Sequence, residues 1–501
     1  MTFESRAGFN RSRFSPPYGG PTRPPAPAAV RGPSRWGPAS SSLVRRSSHE
    51  GGTFAMETGA SNELDMDRAV LEAYTQLLGK LGRAPHLLVA TCSSAFDGKA
   101  VVAQLQRLAP NAVIHGTTSF SGCISRDGRQ RFGLLGFYDP DGHYAVGISG
   151  PGANKHATAR EAGRSAARQA LKLMGDSFAF EMPTCALVNV ATGAEEEVLR
   201  GIEDIVRRDV LIVGGSCADE SFDGSWWVCA ATPAGVGSGG SAQAATSYVA
   251  TDGVAITLMW PSVRVQLMMS SCFEPSAARG VATRVEGRTL WEVDGEGAAE
   301  WYARHGGQAF RDQLAAFKER PSGGACNVLS ATTLGPLGRW AGAAMATSEA
   351  AASEAAASEA AADATADVTA SDLTLVHPAR IVPIDGSGGG QHGLECFADF
   401  GEGDTVVMMA AQQGLDTLTT HPSSVMSCMD APERVRGCLV VYCAGCAIAI
   451  GDARIDEVVS SFSSALHHPF FGMFTYGEQC RTSVGANRHV NLMYGVLAFG
   501  D

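Results

Sequence analysis

The sequence predicts an α/β (α+β) protein, with mixed sheets built from repeated strand–helix–strand units with hairpins and arranged as two packed subdomains. Three observations carry that prediction. One order of signals, apolar run, helical period, apolar run and glycine-marked turn, recurs three times along the chain. Further apolar runs follow the repeats and meet at Asp, Pro and Gly clusters, as hairpin strands do. The chain also holds 59 glycines in 501 residues, above the usual share of about 7%, which favours turns and close backbone approaches over long helices.

The first unit runs from His86–Ala90 through a helical segment at Gly98–Leu108 to Ala112–Gly116 and the turn Thr117-Thr-Ser-Phe-Ser-Gly122. The second runs from Ala186–Val190 through Glu195–Val206, where Val198, Ile202, Ile205 and Val206 keep helical spacing, to Val210–Gly215 and Ser216-Cys-Ala-Asp219. The third runs from Cys438–Tyr442 through Arg454–Leu466, with Ile455, Val458, Val459 and Phe462 on one face, to Phe470–Glu478. A right-handed crossover places the two strands of each unit parallel in one sheet, and the turns after the second strands then gather on one edge. Two hairpins are expected as well. Phe132–Phe137 turns at Asp139–Gly142 into Tyr144–Ile148, and Asp252–Leu258 turns at Trp260-Pro261 into Val263–Met269. Ligands are expected where the glycine-marked turns leave the strand ends.

Composition bounds the function. Hydrophobic residues make up 45% and charged residues 18%, with a net charge of −12, which fits a folded chain with two or three cores and excludes collagen, wholesale disorder and coiled coil. Runs such as Cys438–Ile450 are too short to cross a bilayer, so no membrane span is expected. Residues 1–50 hold eight Arg against Glu4 and Glu50, a local +6 that leaves −18 on the rest. An acidic body argues against a nucleic-acid partner. The 13 cysteines show no recurrent short spacing and several sit inside apolar runs, which reads as reduced, buried thiols in an intracellular protein.

Two stretches lack the pattern of a folded core. Residues 1–58 are rich in Arg, Pro and Ser, and read as a disordered tail. Their poverty in acidic residues also fits a transit peptide, so the expected location is cytoplasmic, with chloroplast or mitochondrion as the alternative. Residues 341–372 are Ala, Ser and Glu with Ser-Glu recurring every five positions, and read as a low-complexity surface insertion.

Several motifs carry candidate chemistry. Gly214-Gly-Ser-Cys-Ala-Asp219 offers backbone N–H groups, a hydroxyl, a thiol and a carboxylate at a strand end. The alternative is a tight turn that needs positive φ. Thr117 and Thr118 make the analogous turn of the first unit, and either contact a ligand or satisfy their own backbone. Tyr476-Gly-Glu478 joins a phenol to a carboxylate after a strand, with Asn487, His489 and Asn491 close behind. A carboxylate and an amide converging there suit an ammonium-bearing ligand. Cys443-Ala-Gly-Cys446 is a C-x-x-C with no second pair to complete a metal site, and reads best as a glycine-containing core turn. No G-x-S-x-G elbow and no H-E-x-x-H occurs.

At these residues the sequence resembles the FIST sensory domain family, named for F-box and intracellular signal transduction proteins. The likeness rests on Val113–Thr118, Val213-Gly-Gly-Ser-Cys-Ala-Asp219, Arg279–Arg284 with Leu290 and Asp294-Gly295, Leu334–Gly338, and Gly472-Met-Phe-Thr-Tyr-Gly-Glu478 followed by Asn491. It implies an N-terminal FIST domain over residues 59–290 and a C-terminal one over 291–340 and 373–501, around the insertion. It further implies a non-catalytic sensor of a small polar ligand, amino-acid-like, working with a protein signalling partner and without cofactor or metal. Ligand contacts are expected at Thr117, Thr118, Gly215, Ser216, Asp219, Arg380, Tyr476, Glu478 and Asn491. Arg380 stands for the arginine that opens the next strand in the family, displaced by the insertion. Cys443-Ala-Gly-Cys446 departs from the Cys-Ala-Gly-Arg of the family and loses a cation. No F-box-like helical segment precedes the domain in this sequence. Two alternatives of other classes stand beside the sensor. One is a thiol-dependent enzyme using Cys443, Cys446 or Cys217, and the other an adaptor in ubiquitin-type or signalling complexes.

Overall fold

A computed structural model describes residues 54–150, 158–175, 181–236, 242–243, 245–319, 324–340, 373–383, 391–411, 413–426, 432–481 and 487–500. The expectations for residues 1–53 and for the insertion at 341–372 lie outside them. Each repeated unit supplies one parallel strand pair, and each pair seeds its own six-stranded mixed sheet. The pairs are Leu87–Cys92 with Val113–Thr118, Cys185–Val190 with Leu211–Ser216, and Val435–Cys443 with Phe470–Thr475. All six strands are buried along nearly their whole length, which is why their sequences read as unbroken apolar runs rather than alternations.

The crossover helices form where their end signals stand. Asp97 caps Gly98–Leu108 by accepting the Ala100 N–H at 2.8 Å. Glu195–Val206 opens on three glutamates, which suit a helix N-terminus, and buries Val198, Leu199, Ile202 and Val206. Asp65 caps Met66–Leu81, which buries Ala69, Val70, Ala73, Tyr74, Leu77 and Leu81 on one face. In the third unit two helices follow the strand. Beyond the expected Ile455–Ala465, a short Ala444–Ile450 starts immediately at the C-x-x-C, which the sequence reads as a turn.

The three sheets face one another across a shared core that includes Leu87, Leu187, Val213, Leu439, Phe471 and Phe499. Their helices cover the outer faces, forming separate clusters around Leu77 and Val101, around Ala166 and Ile202, and around Val458 and Phe462. A fourth, nine-stranded antiparallel sheet carries the helices Ala298–His305 and Gln308–Lys318, with its own core around Trp301 and Phe310.

Both expected hairpins prove to be corners. Phe132–Tyr138 pairs in the first sheet while His143–Ser149 pairs in the second. Val254–Trp260 lies in the second sheet while Arg264–Ser271 pairs with Met493–Gly500 in the third. The reason is local and polar. The buried Asp139 accepts from Tyr144 Oη at 2.6 Å, and from the N–H and Oγ of Ser262 at 3.0 and 2.5 Å, so one carboxylate pins both corners. True hairpins occur elsewhere, as in Cys123–Ser125 with Gly128–Gln130 and in Glu478–Arg481 with Asn487–Val490. A strand also stands within the stretch that the sequence assigns to the tail. Ala55–Ser61 pairs with Phe132–Tyr138, so Ala55 to Thr58 belong to a sheet and not to the tail.

The two halves of the chain exchange strands. Cys123–Gln130, from the first half, edges the sheet of the third unit, and Glu478–Val490, from the second, edges the sheet of the second unit. Those exchanges bring the three strand-end turns together.

Candidate functional site

The turns that follow the three second strands meet and bond to one another through their backbones. The Ala218 N–H donates to Thr118 O at 3.3 Å and the Phe120 N–H to Phe474 O at 3.1 Å. The Ser216 N–H donates to Gly477 O at 3.0 Å, and the Tyr476 N–H returns to Ser216 O at 3.1 Å. Ser119 Oγ accepts the Phe474 N–H at 2.8 Å. The gathering of turns expected from the repeats is therefore real, and it holds eight of the nine expected site residues.

Most of the eight are packed rather than open. Thr117, Thr118, Ser216, Asp219, Glu478 and Asn491 are all buried. Thr117 Oγ1 donates to Thr118 O at 3.1 Å and to Cys217 Sγ at 3.5 Å. Thr118 Oγ1 accepts the Trp227 N–H at 3.2 Å. Gly215 lies against Thr475, whose side chain stands 2.3 Å from where a Cβ would be. Arg380 is apart from the rest, exposed on Pro378–Pro383 of the fourth sheet and paired with Glu395 at 3.4 Å.

Ser216 leads into a buried polar chain that sequence reasoning missed. Its hydroxyl donates to Glu195 Oε1 at 2.7 Å, and Arg288 Nη2 binds Glu195 Oε2 at 2.5 Å and Glu196 Oε2 at 2.6 Å. Burial raises the Glu195 carboxyl, but Arg288, His489 and the Ser216 hydroxyl outweigh it and hold the group at about 2. From Ser216 the chain continues through Gln479 at 3.3 Å and His489 at 3.2 Å to Asn491 at 3.4 Å. Asn491 Oδ1 then accepts the His377 N–H at 3.0 Å. Burial lowers His377 to about 4, so it is neutral. Arg288 sits in the turn between Phe273–Glu286 and Thr289–Val293, more than ninety residues from Glu195. No local spacing signals such a pair.

Glu478 faces the other way, into the third unit. Its carboxylate accepts from Thr475 Oγ1 at 3.0 Å and from the Met493 N–H at 3.1 Å. Burial drives it well above the usual carboxylate range, and the neighbouring Cys443 adds to that rise.

The open face of the gathered turns belongs to Asp219. Its Oδ2 accepts the N–H groups of Asp223, Gly224 and Ser225 at 3.0 to 3.1 Å, which fixes the Glu220–Trp226 loop as an arch. Tyr476 Oη donates to the Asp219 backbone carbonyl and reaches Oδ1 at 3.1 Å. Phe222, with φ of 56° and half exposed, stacks on Tyr476 with ring centroids 5.7 Å apart. A bulky residue in the left-handed region is uncommon and costs energy.

Beneath that arch runs a groove of about 830 Å³ at the carboxyl ends of the first parallel pair. Ser93 and Ser94 line it from the turn just after the first strand of that unit, Ser121 from its second-strand turn, and Glu220 and Ser225 from the arch. Glu220 lies on the first unit's helix-entry turn, accepting Ser94 Oγ at 2.6 Å and the Ser94 N–H at 3.2 Å. Arg129 pairs with Asp452 at 2.5 Å on the rim, while the exposed Arg131 has no ion pair among the described residues. The lining thus presents donors, acceptors and both signs of charge. All three units contribute to it. Among the described residues no group of three or more His, Cys, Asp or Glu is placed to hold a metal ion, and no helix is long and apolar enough to cross a membrane.

The three-unit α/β body gathers its strand-end turns beside one polar groove, the place where α/β folds bind ligands. Two family models match the chain. The FIST N domain matches residues 86–296 and the FIST C domain matches residues 345–481. The chain belongs to the FIST family, whose domains are sensory domains of signal transduction. No curated protein matches it.

Proposed function

We propose that the chain is a non-catalytic FIST sensor that binds a small zwitterion of the amino-acid class in the groove under the Glu220–Trp226 arch. The observation that carries this reading is the pairing of charges on a preformed strand-end groove. Arg131 suits a carboxylate, while Glu220, whose Oε2 takes both Ser94 donors, keeps Oε1 for an ammonium. The buried Thr117, Thr118, Gly215, Ser216 and Glu478 then serve as the floor that sets the arch, and Asp219 and Tyr476 as its hinge. The groove lining holds hydroxyls, amides and charges but neither His nor Cys, which supports binding without covalent chemistry. Burial pushes the Cys217 thiol up to about 12, which argues against its use as a nucleophile.

Thermal unfolding of the full chain against a panel of free amino acids and related metabolites tests the reading. A ligand at a hundred times its Kd is expected to add about 2.7 kcal/mol. Arg131→Ala and Glu220→Gln are each expected to remove that gain while leaving the ligand-free melting temperature within about 2 °C, as surface substitutions do. A panel that stabilises neither the wild type nor either variant overturns the reading.

A further inference from the structure

A second groove, of about 810 Å³, adjoins the first. It runs along the helix Met66–Leu81, which turns Glu72, Gln76 and Lys80 toward it at four-residue spacing. The end of the strand Ala55–Ser61 and the hairpin Cys123–Gln130 supply the rest of its lining. Asn62 and Gln130 line both grooves, so the two meet across these amides. Asn62 Oδ1 accepts the Arg131 N–H at 3.1 Å. Arg131 of the first groove therefore stands directly beside the boundary with the second.

The two grooves differ in charge. The first balances Arg129 and Arg131 against Glu220 and Asp452. The second sets Glu63, Glu72 and Asp127 against Lys80 alone, so three acids and one base leave a formal −2. Lys80 is already committed to Asp127 at 2.8 Å. Glu72 is oriented by Gln76 Nε2 at 3.3 Å and by the Ser61 hydroxyl. The exposed Glu63 carboxylate has no partner among the described residues, its backbone N–H alone being bonded, to Ser61 Oγ. Leu64 beside it is 76% exposed. An apolar stem that ends in a cation is matched there on both counts, with Leu64 for the stem and the two glutamates for the charge.

We propose, on the zwitterion reading of the first groove, that its ligand is a basic amino acid bound across both grooves. The α-carboxylate sits on Arg131 and the α-ammonium on Glu220 Oε1, as in the first groove alone. The side chain crosses the boundary at Asn62 and Gln130, and its ammonium or guanidinium lies between Glu63 and Glu72. The reach is sufficient, because Glu63 follows Asn62 by one Cα step of about 3.8 Å and a lysine side chain extends about 6 Å from Cα to Nζ. A side chain ending in an amide gains nothing from Glu63, and one ending in a carboxylate is repelled by it. The first groove thus selects the head group, and the second selects the side chain.

Isothermal titration of the full chain at pH 7.5 compares lysine and arginine with Nε-acetyllysine and norleucine, which keep the head and the stem but carry no terminal cation. Lysine and arginine are expected to bind about fivefold more tightly, the upper end of what an exposed ion pair contributes. Glu63→Gln is expected to reduce that ratio to about twofold or less. Lys80→Gln, which releases Asp127 from its partner, is expected to widen it. Equal affinities for all four ligands in the wild type overturn the inference and leave the zwitterion reading standing. A wild-type chain that binds none of the four overturns that reading, and the inference with it. A ratio unchanged by Glu63→Gln, in a variant that melts with the wild type, overturns the second groove as the seat of the cation.

Discussion

Arg288→Ala is expected to destabilise the protein by about 3–5 kcal/mol, because it strands a fully buried carboxylate whose counter-charge is gone. Arg288 holds Glu195 at 2.5 Å and Glu196 at 2.6 Å and ties the fourth sheet to the helix of the second unit. Two further measurements separate the stranded charge from lost packing. Glu195→Gln in the Arg288→Ala background is expected to recover about 1–2 kcal/mol, since the amide keeps a partner for Ser216 without an ion to bury. The pH dependence is the second. The Glu195 carboxyl is depressed from 4.5 to about 2 in the folded protein. Its contribution, about 3 kcal/mol, is therefore fully present above pH 4.5 and is lost as pH falls from there toward 2. Without Arg288, burial is the dominant influence and the folded carboxyl rises instead. Arg288→Ala is then expected to gain more stability than the wild type as pH falls from 7 toward 5, because Glu195 adds to the slope that the raised Glu478 gives both chains. Urea unfolding at pH 7, 5 and 3.5 checks both signs. A variant with the wild-type pH profile would show that Glu195 is not ionised in the fold.

The repeats made the fold readable, and the site only in part. Strand, helix and turn recur in the chain at nearly their true bounds, as in Gly98–Leu108 and Glu195–Val206, because their apolar periods and caps are local. Sheet membership is not local. Phe132–Tyr138 and His143–Ser149 read as a hairpin because a turn-forming Asp-Pro-Asp-Gly separates them, but both strands are apolar on both faces and neither can leave one face to water. They enter separate sheets instead, and Asp139 fixes the corner through Ser262, a residue 123 positions away. The same distinction governs the site. Ser216, Tyr476 and Glu478 stand out because each follows a strand at a glycine. Glu195 and Arg288 do not, because a glutamate run at a helix start reads as a solvated N-terminus and an arginine after a glycine reads as a turn. Arg380 entered through family likeness alone and proves to face solvent. The groove was not legible because it is assembled from three units whose juxtaposition depends on the strand exchange.

Gly214→Ala is expected to cost more than about 4 kcal/mol and to leave little folded protein, an effect at the far end of what single substitutions do. Gly214 has φ of 147°, a conformation that side chains rarely adopt, and a Cβ there would stand 1.8 Å from the Val188 carbonyl oxygen. Val188 is its register partner in the parallel pair, so the obstructing atom is backbone already committed to the sheet and no side chain can rotate away. Gly214 also pairs with Gln479 on its other side, so strands parting at Val188 would release the edge strand that carries Glu478. The floor of the groove would open with it. The same substitution at Gly79 should run the other way. Gly79 is exposed within the helix Met66–Leu81, nothing lies within 4 Å of its absent Cβ, and alanine there is expected to add about 0.5–1 kcal/mol. Circular dichroism melts of the two variants beside wild type decide the matter. Equal melting temperatures for Gly214→Ala and wild type would mean that the parallel pair of the second unit is not drawn as close as its glycines allow.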